Sequence, residues 1–444
     1  LAFADVLLPD TGGKSGLDTA WHMIEVKSST SVKDYYREDA AIQYYVAKNA
    51  GLNLASISLA VVDTSWVYRG DGNYNGLLKL EDVTDSSAAQ DADVRAWIAD
   101  AQLIAKFDEA PEKKTGDHCN SPFPCGFYAH CASEDGTAAL SVPHPIGWLP
   151  RMSKIKVKAV FGANAVPRQV SMFDMPDALL NALQRRVKMA HQANQAFVDV
   201  QGLQQRLGPQ RMQASEVLSF LDFETVAQAV PVWAGTRPYQ AVLVQFSCHV
   251  LDLSNATDEG KSLKHYEFLD TSGNDPRPAL AEALIVALGD SSGAVFMYSS
   301  FERTQLRALA LAVPQHRVAI ERIIGRLVDL LPVVRDHYYH PLMQGSWSIK
   351  SVLPAMLGNQ DTSLSYDALA ASVEGGAVAD GGAAMQAYIE AIDPSTPLER
   401  KAAINTQLLA YCKLDTLAMV RVWQRLCNMA VNGDCAPGLA QPIP

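Results

Sequence analysis

Residues 220–225 read FLDFET and place two acids, Asp222 and Glu224, inside an otherwise apolar run. Residues two apart in a β-strand point to the same face, so a strand here sets the two carboxylates side by side. Their phenylalanine and leucine neighbours favour burial. Two carboxylates this close raise each other's pKa unless a positive charge lies between them. The stretch therefore predicts a buried strand that holds cations, and Mg²⁺ and Mn²⁺ prefer such hard oxygen ligands.

The composition is that of a soluble protein of two or three domains, with 444 residues, 48% hydrophobic and 19% charged. No apolar run reaches the roughly 18 residues of a membrane span. The net charge of −11 argues against a protein that coats nucleic acid. The seven cysteines are unevenly spaced and do not indicate a disulfide framework, so we expect a cytoplasmic protein. Because the chain starts at Leu1 with a strand-like run, we also expect that the true N-terminus of the first fold is missing.

The order of strand-like and helical runs predicts an α/β protein in three parts. Residues 1–149 hold strand-like runs such as HMIEVK, a helix near 38–50 and a largely helical stretch at 71–115. Residues 150–214 are basic and rich in Gln, Ala and Leu, which indicates helices that connect two domains. Residues 215–444 alternate strands and helices and contain a long amphipathic helix near their end. Within them, AVLVQFSCHVLDL and HYEFLD are separated by a turn-rich segment and predict antiparallel neighbours.

A metal centre built on FLDFET needs further acids. Two ions held roughly 3.5–4 Å apart can stabilise both the attacking and the leaving oxygen of a phosphoryl transfer. Glu302 in YSSFERTQL, where a strand passes into a helix, is one candidate ligand, and Asp415 in YCKLD is another. Tyr411 precedes Asp415 by four residues and shares its helical face. A tyrosine hydroxyl at this place can position an attacking water.

Three runs together carry a resemblance: FLDFET, Phe-Glu-x-x-x-Leu at 301–306 and Tyr-x-x-x-Asp at 411–415. They resemble the exonuclease motifs of the DnaQ-like, RNase H-like superfamily, tyrosine subtype. The resemblance implies a mixed sheet with helices on both faces, and two-metal 3′→5′ hydrolysis of DNA or RNA. It implies metal ligands at Asp222, Glu224 and Asp415, and a water-orienting residue at Tyr411.

The second motif departs from the family's usual pattern. The family usually has Asp where this chain has Glu302, which is one methylene longer. Related bacterial families of uncharacterised RNase H-like domains carry the same variant, so we keep Glu302 as a ligand. In those families a recurrent acid matches Asp329 of RLVDLLP, which is our reserve ligand.

Basic residues indicate where nucleic acid would lie. Residues 151–190 carry eight basic residues against two acids, and we expect this segment to guide a single strand. The alternative is a solvated helical face. In the loops of the second domain, basic side chains either contact phosphate or order the loop, and we favour the ordering role. The predicted nucleic-acid contacts are Arg185, Arg186, Arg237 and Lys350.

The first domain carries a second acid pattern. HMIEVKSST puts Glu25 and Lys27 on one face of a strand, and Asp5 lies on the preceding strand. Acids that hold Mg²⁺ beside a lysine form a hydrolytic arrangement. The pattern resembles the PD-(D/E)XK nuclease superfamily, and Gln43 on the next helix fits the glutamine of its RecB-like branch. The alternative is a salt-bridge pair with no catalytic role.

Three cysteines, Cys119, Cys125 and Cys131, lie close together in HCNSPFPCGFYAHC and indicate a metal. CRISPR-associated and AddB-type nucleases of the RecB-like branch carry a [4Fe–4S] cluster, with three cysteines after the nuclease core and one far upstream. By this resemblance the fourth cysteine would precede Leu1. The alternative is Zn²⁺, with His118 or His130 as the fourth ligand.

The whole chain resembles a bacterial family, known only as a domain of unknown function, that fuses these two nuclease types. We therefore expect a metal-dependent nuclease that acts on single-stranded DNA or RNA, with a helicase or a repair or defence complex as a possible partner. The alternative is a nucleic-acid-binding scaffold with structural metal centres and at most one active nuclease unit. Because a scaffold need not keep like charges that cost stability, the retained acids favour the enzyme.

Overall fold

A computed structural model describes residues 2–10, 19–136, 142–162, 165–207, 217–255, 263–289, 291–358, 378 and 380–432. Within these ranges, no helix combines the length and the apolar character that crossing a membrane requires. Contacts between residues divide the chain into two compact units. Unit 1 consists of Leu1–Ala139 and Ala227–Gln240, and unit 2 consists of Leu140–Val226 and Ala241–Pro444.

Unit 1 is built on a mixed sheet. Its described strands are β1 (Val6–Pro9), β2 (Trp21–Lys27), β3 (Leu54–Val62) and β4 (Leu78–Asp82), and they lie in this order. Its described helices are α1 (Asp34–Asn49), α2 (Thr84–Ala89), α3 (Asp91–Ile104) and α4 (Tyr128–Glu134). Strands β2 and β3 are parallel, and α1 provides the crossover that a parallel pair requires. Ala40 of α1 lies in one apolar cluster with Ile57 and Leu59 of β3, where its small side chain lets helix and sheet approach.

The stretch 71–115, which we expected to be largely helical, contains two helices, α2 and α3, and also a strand. It contains β4, which pairs antiparallel with β3 at the edge of the sheet. All five residues of β4 are exposed, so the strand lacks the one-sided burial that would have marked it in the sequence.

Unit 2 contains a second mixed sheet and most of the helices. Its described strands are β5 (Phe197–Val198), β6 (Val217–Val226), β7 (Val242–Asp252), β8 (Leu263–Leu269), β9 (Val295–Met297), β10 (Leu327–Asp329) and β11 (Tyr338–Tyr339). Its described helices are α5 (Lys154–Phe161), α6 (Ala182–Ala193), α7 (Val200–Leu207), α8 (Arg277–Leu288), α9 (Phe301–Ala312), α10 (Arg317–Gly325), α11 (Leu330–His337), α12 (Ile349–Leu357), α13 (Gly381–Ile392) and α14 (Leu398–Asn432).

Five of these strands form the sheet, in the order β10-β9-β6-β7-β8. Strands β6, β9 and β10 are parallel, and β7 runs antiparallel to both β6 and β8. The antiparallel pairing of β7 with β8 confirms the prediction made from their turn-rich connection. The chain is therefore a mixed α/β protein.

Strand β6 is buried on both faces, which is what its continuous apolar character requires. On one face, Phe220 packs edge-on against Trp423 of α14, with ring centroids 5.8 Å apart. On the other face, Leu221 and Phe223 belong to a second cluster shared with α8, α9 and α10. Asp222 has the same parity as Phe220, so its carboxylate points towards the α14 side.

The described residues of the segment 150–214 do not form a separate connector, because they group with unit 2. Strand β5 pairs with β11, and Val187 of α6 and Leu203 of α7 belong to the apolar cluster that contains Phe220. Residues 227–240, which we assigned to the second domain, group with unit 1 instead. The first unit also ends at Ala139 rather than at 149.

Candidate functional site

Four carboxylates from three elements of unit 2 converge. Asp222 and Glu224 lie on β6, Glu302 lies in the first turn of α9, and Asp415 lies on α14. The charges of the other three all act on Asp222. Asp222, Glu302 and Asp415 line a cavity of about 470 Å³, and Glu224 lies beside them on β6. Its lining residues are Asp222, Tyr298, Ser299, Glu302, Leu331, Trp347, Ser348, Ile349, Lys350, Asp415 and Met419.

Crowding and burial shift the acid–base behaviour of these groups. Burial first, and then the charges of the three neighbouring carboxylates, hold the pKa of Asp222 well above its usual range. Burial and the charge of Asp415 raise the pKa of Glu224 to about 8. Burial raises the pKa of Glu302 to about 7, although Ser299 Oγ donates a hydrogen bond of 3.2 Å to Glu302 Oε2. In the absence of a cation, the site therefore disfavours the ionised forms of these carboxyl groups.

Lys350 and Tyr411 form a pair beside these carboxylates. Lys350 Nζ donates a hydrogen bond of 3.0 Å to Tyr411 Oη and lies 4.9 Å from the centre of the tyrosine ring. Its charge also acts on Glu224, whose pKa it lowers. The structure places Lys350 against Tyr411, and its contact with nucleic acid stays a prediction. Burial and the nearby carboxylates raise the pKa of Tyr411, so its hydroxyl stays protonated and can donate.

Cys412 is a site residue that the sequence reasoning missed. Its side chain is fully buried, and its Sγ lies 3.8 Å from Asp222 Oδ2. One ligand atom each of Asp222, Glu224 and Cys412 all lie within 4.8 Å of one another. No other group of three or more His, Cys, Asp or Glu side chains in the described part of the chain is this compact. Cys412 lies three residues before Asp415 on the same helix, so the two residues share a helical face. This spacing could have identified Cys412 as a site residue.

The start of α13 lies close to Glu224. A Cβ atom added to Gly381 would lie 3.9 Å from Glu224 Oε2. Asp380 caps this helix by accepting a hydrogen bond of 2.9 Å from the Ala383 amide. Because a helix N-terminus carries partial positive charge, it favours the ionised form of a neighbouring carboxylate.

Asp329, the reserve ligand, has another contact. It ends β10 and caps α11, because its Oδ1 accepts a hydrogen bond of 2.9 Å from the Leu331 amide. Asp329 is absent from the described residues that line the cavity, whereas Leu331 is present. Its negative charge raises the pKa of Glu302, so Asp329 affects the electrostatics of the site without lining the cavity.

Behind the carboxylates, Thr416 joins α14 to the sheet. Thr416 Oγ1 lies 2.7 Å from Ser247 Oγ and 2.8 Å from His249 Nδ1, and Ser247 Oγ lies 2.8 Å from His265 Nε2. Burial lowers the pKa of His249 to about 3 and that of His265 to about 4, so both rings are neutral at pH 7. After burial, the positive charges of Lys413 and Arg421 of α14 also lower the pKa of His249.

The residues of unit 2 fit divalent cations. Their donors are hard carboxylate oxygens, which Mg²⁺ and Mn²⁺ prefer. Gln245, the cross-strand neighbour of Glu224, adds a buried Oε1 with no hydrogen-bond partner in the described part of the protein. A register shift between Glu224 and Thr225 marks a bulge, a feature that often lies beside functional sites.

Unit 1 brings its predicted acid–lysine pair together and adds one residue. Lys27 Nζ lies 2.8 Å from Glu25 Oε1 and 2.5 Å from Asp39 Oδ2. Burial opposes the charge of Lys27, but its hydrogen bonds to these two acids outweigh burial and raise its pKa. Asp39 was missed, although it precedes Gln43 by four residues on α1 and so shares its helical face.

The other two predicted residues of unit 1 differ in their surroundings. Asp5 is exposed and accepts a hydrogen bond of 2.8 Å from the Val26 amide through Oδ2. Gln43 is buried, and its Oε1 lacks a hydrogen-bond donor among the described residues. Glu25 Oε2 is buried without a donor in the same way. Two buried acceptors without donors suit a cation, because leaving them unpaired is costly.

The cysteine trio surrounds a turn in unit 1. Cys119 is buried, Cys131 of α4 is partly buried and Cys125 is exposed. The Cys125 amide donates a hydrogen bond of 2.7 Å to the Cys119 carbonyl, and His118 Nε2 lies 3.6 Å from Cys119 Sγ. The three thiols are not within the 4.8 Å that groups Asp222 with Cys412. Tetrahedral zinc would hold sulfur atoms about 3.8 Å apart, so no such site is preformed here.

The predicted basic contacts divide into two kinds. Arg186 Nη1 donates a hydrogen bond of 3.0 Å to the Arg335 carbonyl, and its guanidinium lies 4.3 Å from the centre of the Phe197 ring. These contacts are internal to unit 2. Arg185 is exposed, and so is Arg237, which belongs to unit 1.

A comparison with known families finds one match. A domain of unknown function (DUF2779) is found at residues 219–348. This stretch contains Asp222, Glu224, Glu302 and Asp329, and it ends before Lys350. No curated protein and no solved structure matches the chain. The match agrees with a relation to an uncharacterised family, and the fusion of two nuclease types stays a prediction.

Proposed function

We propose that the chain is a metal-dependent nuclease and that unit 2 holds a 3′→5′ exonuclease centre. The observation that carries this proposal is the convergence of four carboxylates, three of which line one cavity. Crowded acids cost stability, so a fold that keeps them without a function for them is disfavoured. The mixed sheet with helices packed on both faces of β6 agrees with the RNase H-like fold that the resemblance implies.

In this centre Asp222, Glu224, Glu302 and Asp415 would hold divalent cations. When bound, Mg²⁺ or Mn²⁺ would supply the charge that stabilises the attacking and leaving oxygens of phosphodiester hydrolysis. Lys350 donates a hydrogen bond to the Tyr411 hydroxyl oxygen, so the hydroxyl can donate its own hydrogen bond to another acceptor. An attacking water is the acceptor we propose, and Tyr411 orients it without acting as a base.

The cavity supports a single-stranded terminus as substrate. Its volume of about 470 Å³ is that of a pocket for one small molecule, and a duplex would not fit into it. Trp347 lines it and offers an aromatic face on which a base can stack. We propose that single-stranded DNA or RNA enters here and that exposed basic residues such as Arg185 attract it.

In unit 1 we propose a second, PD-(D/E)XK-like centre. Glu25 would hold a divalent cation, which would satisfy its unpaired Oε2, and Lys27 would stabilise developing charge on the phosphate. The cysteine trio would bind a [4Fe–4S] cluster with a fourth cysteine from outside the described residues, and Zn²⁺ is the alternative. A helicase or a repair or defence complex would supply the strand.

The test is degradation of single-stranded DNA and RNA labelled at either end, with Mn²⁺ or with EDTA. Wild type is compared with Asp222→Asn, Lys27→Ala and Asp329→Asn, all as anaerobically purified full chains. Asp329→Asn is the matched control, because asparagine caps a helix as well as aspartate does. We expect metal-dependent loss of the 3′ label in wild type and in the control, but not in Asp222→Asn.

The Lys27→Ala variant separates the two centres. If it removes only internal cleavage or 5′ processing, unit 1 is a second nuclease. If it changes nothing, unit 1 has another role, such as a clamp. If wild type leaves every substrate intact with every metal, the nuclease proposal fails and the scaffold reading, tested by strand binding, replaces it.

A further inference from the structure

Cys412 puts a sulfur atom beside a site otherwise made of oxygen ligands. Its Sγ lies 3.8 Å from Asp222 Oδ2 and 4.0 Å from the Asp222 carbonyl oxygen. It is fully buried, and its helix also carries Asp415 and Tyr411. A thiol at this place would not coordinate Mg²⁺, because Mg²⁺ avoids sulfur ligands.

The spacing of these atoms suits one thiophilic ion. Zinc lies about 2.3 Å from a thiolate and about 2.1 Å from a carboxylate oxygen, which places tetrahedral sulfur and oxygen ligands about 3.6 Å apart. The observed 3.8 Å between Cys412 Sγ and Asp222 Oδ2 is close to this value. The ligand atoms of Asp222, Glu224 and Cys412 all lie within 4.8 Å of one another, so small side-chain shifts bring all three to one ion.

We propose that Cys412 is a third ligand of the metal position formed by Asp222 and Glu224, and that it gives this position a preference for thiophilic ions such as Zn²⁺ and Co²⁺ over Mg²⁺. Coordination converts the thiol to a thiolate and releases its proton to solvent. Zn²⁺ then competes with Mg²⁺ or Mn²⁺ for the same carboxylates. The inference rests on the proposed metal site, but it does not require that the site cuts nucleic acid.

The other buried cysteines of unit 2 do not have this setting. Cys427 lies on the same helix, 15 residues further along, within the apolar cluster around Phe220. Cys427→Ala is therefore a matched control: it removes a buried thiol from α14 and leaves the carboxylates untouched. Cys412→Ser is a second variant that keeps nearly the volume of the thiol, in case Cys412→Ala does not fold.

The experiment is a Co²⁺ titration of the chelator-treated full chain, followed by near-ultraviolet absorption. Cobalt–thiolate charge transfer gives a band that cobalt–carboxylate coordination does not. The cysteine trio contributes equally to every protein, so a difference spectrum cancels it. We expect the band in wild type minus Cys412→Ala and in wild type minus Cys412→Ser, and no band in wild type minus Cys427→Ala.

Zn²⁺ and Mg²⁺ competition against bound Co²⁺ then gives the selectivity. We expect the apparent Kd for Zn²⁺ to rise at least about tenfold in Cys412→Ala, which is about 1.4 kcal/mol, and that for Mg²⁺ to change less than about twofold. Equal spectra and equal Zn²⁺ affinities, in variants that melt like wild type, would overturn the inference.

The two proposals fail separately. If Asp222→Asn abolishes cleavage while Cys412→Ala binds Co²⁺ and Zn²⁺ like wild type, the nuclease stands and the thiol ligand is wrong. If the cobalt–thiolate band depends on both Cys412 and Asp222 but no substrate is cut, the ligand stands and the nuclease is wrong.

Discussion

Replacing Glu224 by glutamine should stabilise the metal-free protein, although it removes a proposed ligand. The pKa of Glu224 is raised from 4.5 to about 8, chiefly by burial and by Asp415. Between these values the unfolded chain ionises this group and the folded chain keeps it protonated, so the free energy of unfolding falls as the pH rises. The linkage relation gives a loss of about 1 kcal/mol at pH 5 and up to about 4 kcal/mol at pH 8.

Glutamine does not ionise, so Glu224→Gln should recover most of this loss. We expect the variant to exceed wild type in the free energy of unfolding by up to about 4 kcal/mol at pH 8, and by about 1 kcal/mol at pH 5, both in EDTA. With saturating Mn²⁺ the order should reverse, because bound metal stabilises only the protein that keeps the ligand.

Hydrogen exchange of peptides from β6 and α14 is the assay, because it reads the stability of unit 2 without interference from unit 1. Glu399→Gln is the control, since Glu399 is exposed on the same helix as Asp415 and should change stability by less than about 0.5 kcal/mol. A Glu224→Gln variant that is less stable than wild type in EDTA, or equally stabilised at both pH values, would refute the reasoning.

Three further outcomes follow from the geometry. Tyr411→Phe should slow single-turnover cleavage about a hundredfold. Adding Lys350→Met to this variant should slow cleavage little further, because the lysine acts through the tyrosine hydroxyl. Additive losses of rate in the double variant would show that Lys350 and Tyr411 act separately. Gly345→Ala should destabilise unit 2 by more than about 2 kcal/mol in chemical denaturation. The reason is that Gly345 has φ +81° and that an added Cβ would lie 2.0 Å from the Trp148 carbonyl oxygen. An unchanged denaturation midpoint would contradict this prediction. Because the pKa of His249 is lowered to about 3, this histidine should contribute a loss of stability as the pH falls below about 6.5, opposite in sign to the contribution of Glu224. His249→Asn should remove that loss, so the variant should gain stability relative to wild type as the pH falls in the same assay.

Local sequence patterns predicted much of the fold and much of the arrangement in unit 2. Strand β6 was predictable because apolar residues surround both acids, and β7 and β8 because a turn-rich segment separates two strand-like runs. The placement of Tyr411 and Asp415 on one helix followed from their spacing alone. These predictions needed only neighbours in the sequence.

What the sequence did not reveal depends on contacts between distant residues. Lys350 faces Tyr411 from another helix, and nothing near either residue indicates the pair. Residues 227–240 group with unit 1 without any change in composition to mark them. The basic segment was misread as a connector, because a count of charges does not show that Arg186 is held by a carbonyl and a ring.

The distribution of the carboxylates along the chain has a consequence for synthesis. Asp222 and Glu224 leave the ribosome about 190 residues before Asp415, a delay of roughly 10–40 s at ordinary rates of translation. Until α14 is made, and in any product that terminates before it, the nascent chain has at most three of the four carboxylates and lacks Asp415. If the centre cuts nucleic acid, the cell is therefore protected from its unfinished copies by the order in which the residues are made.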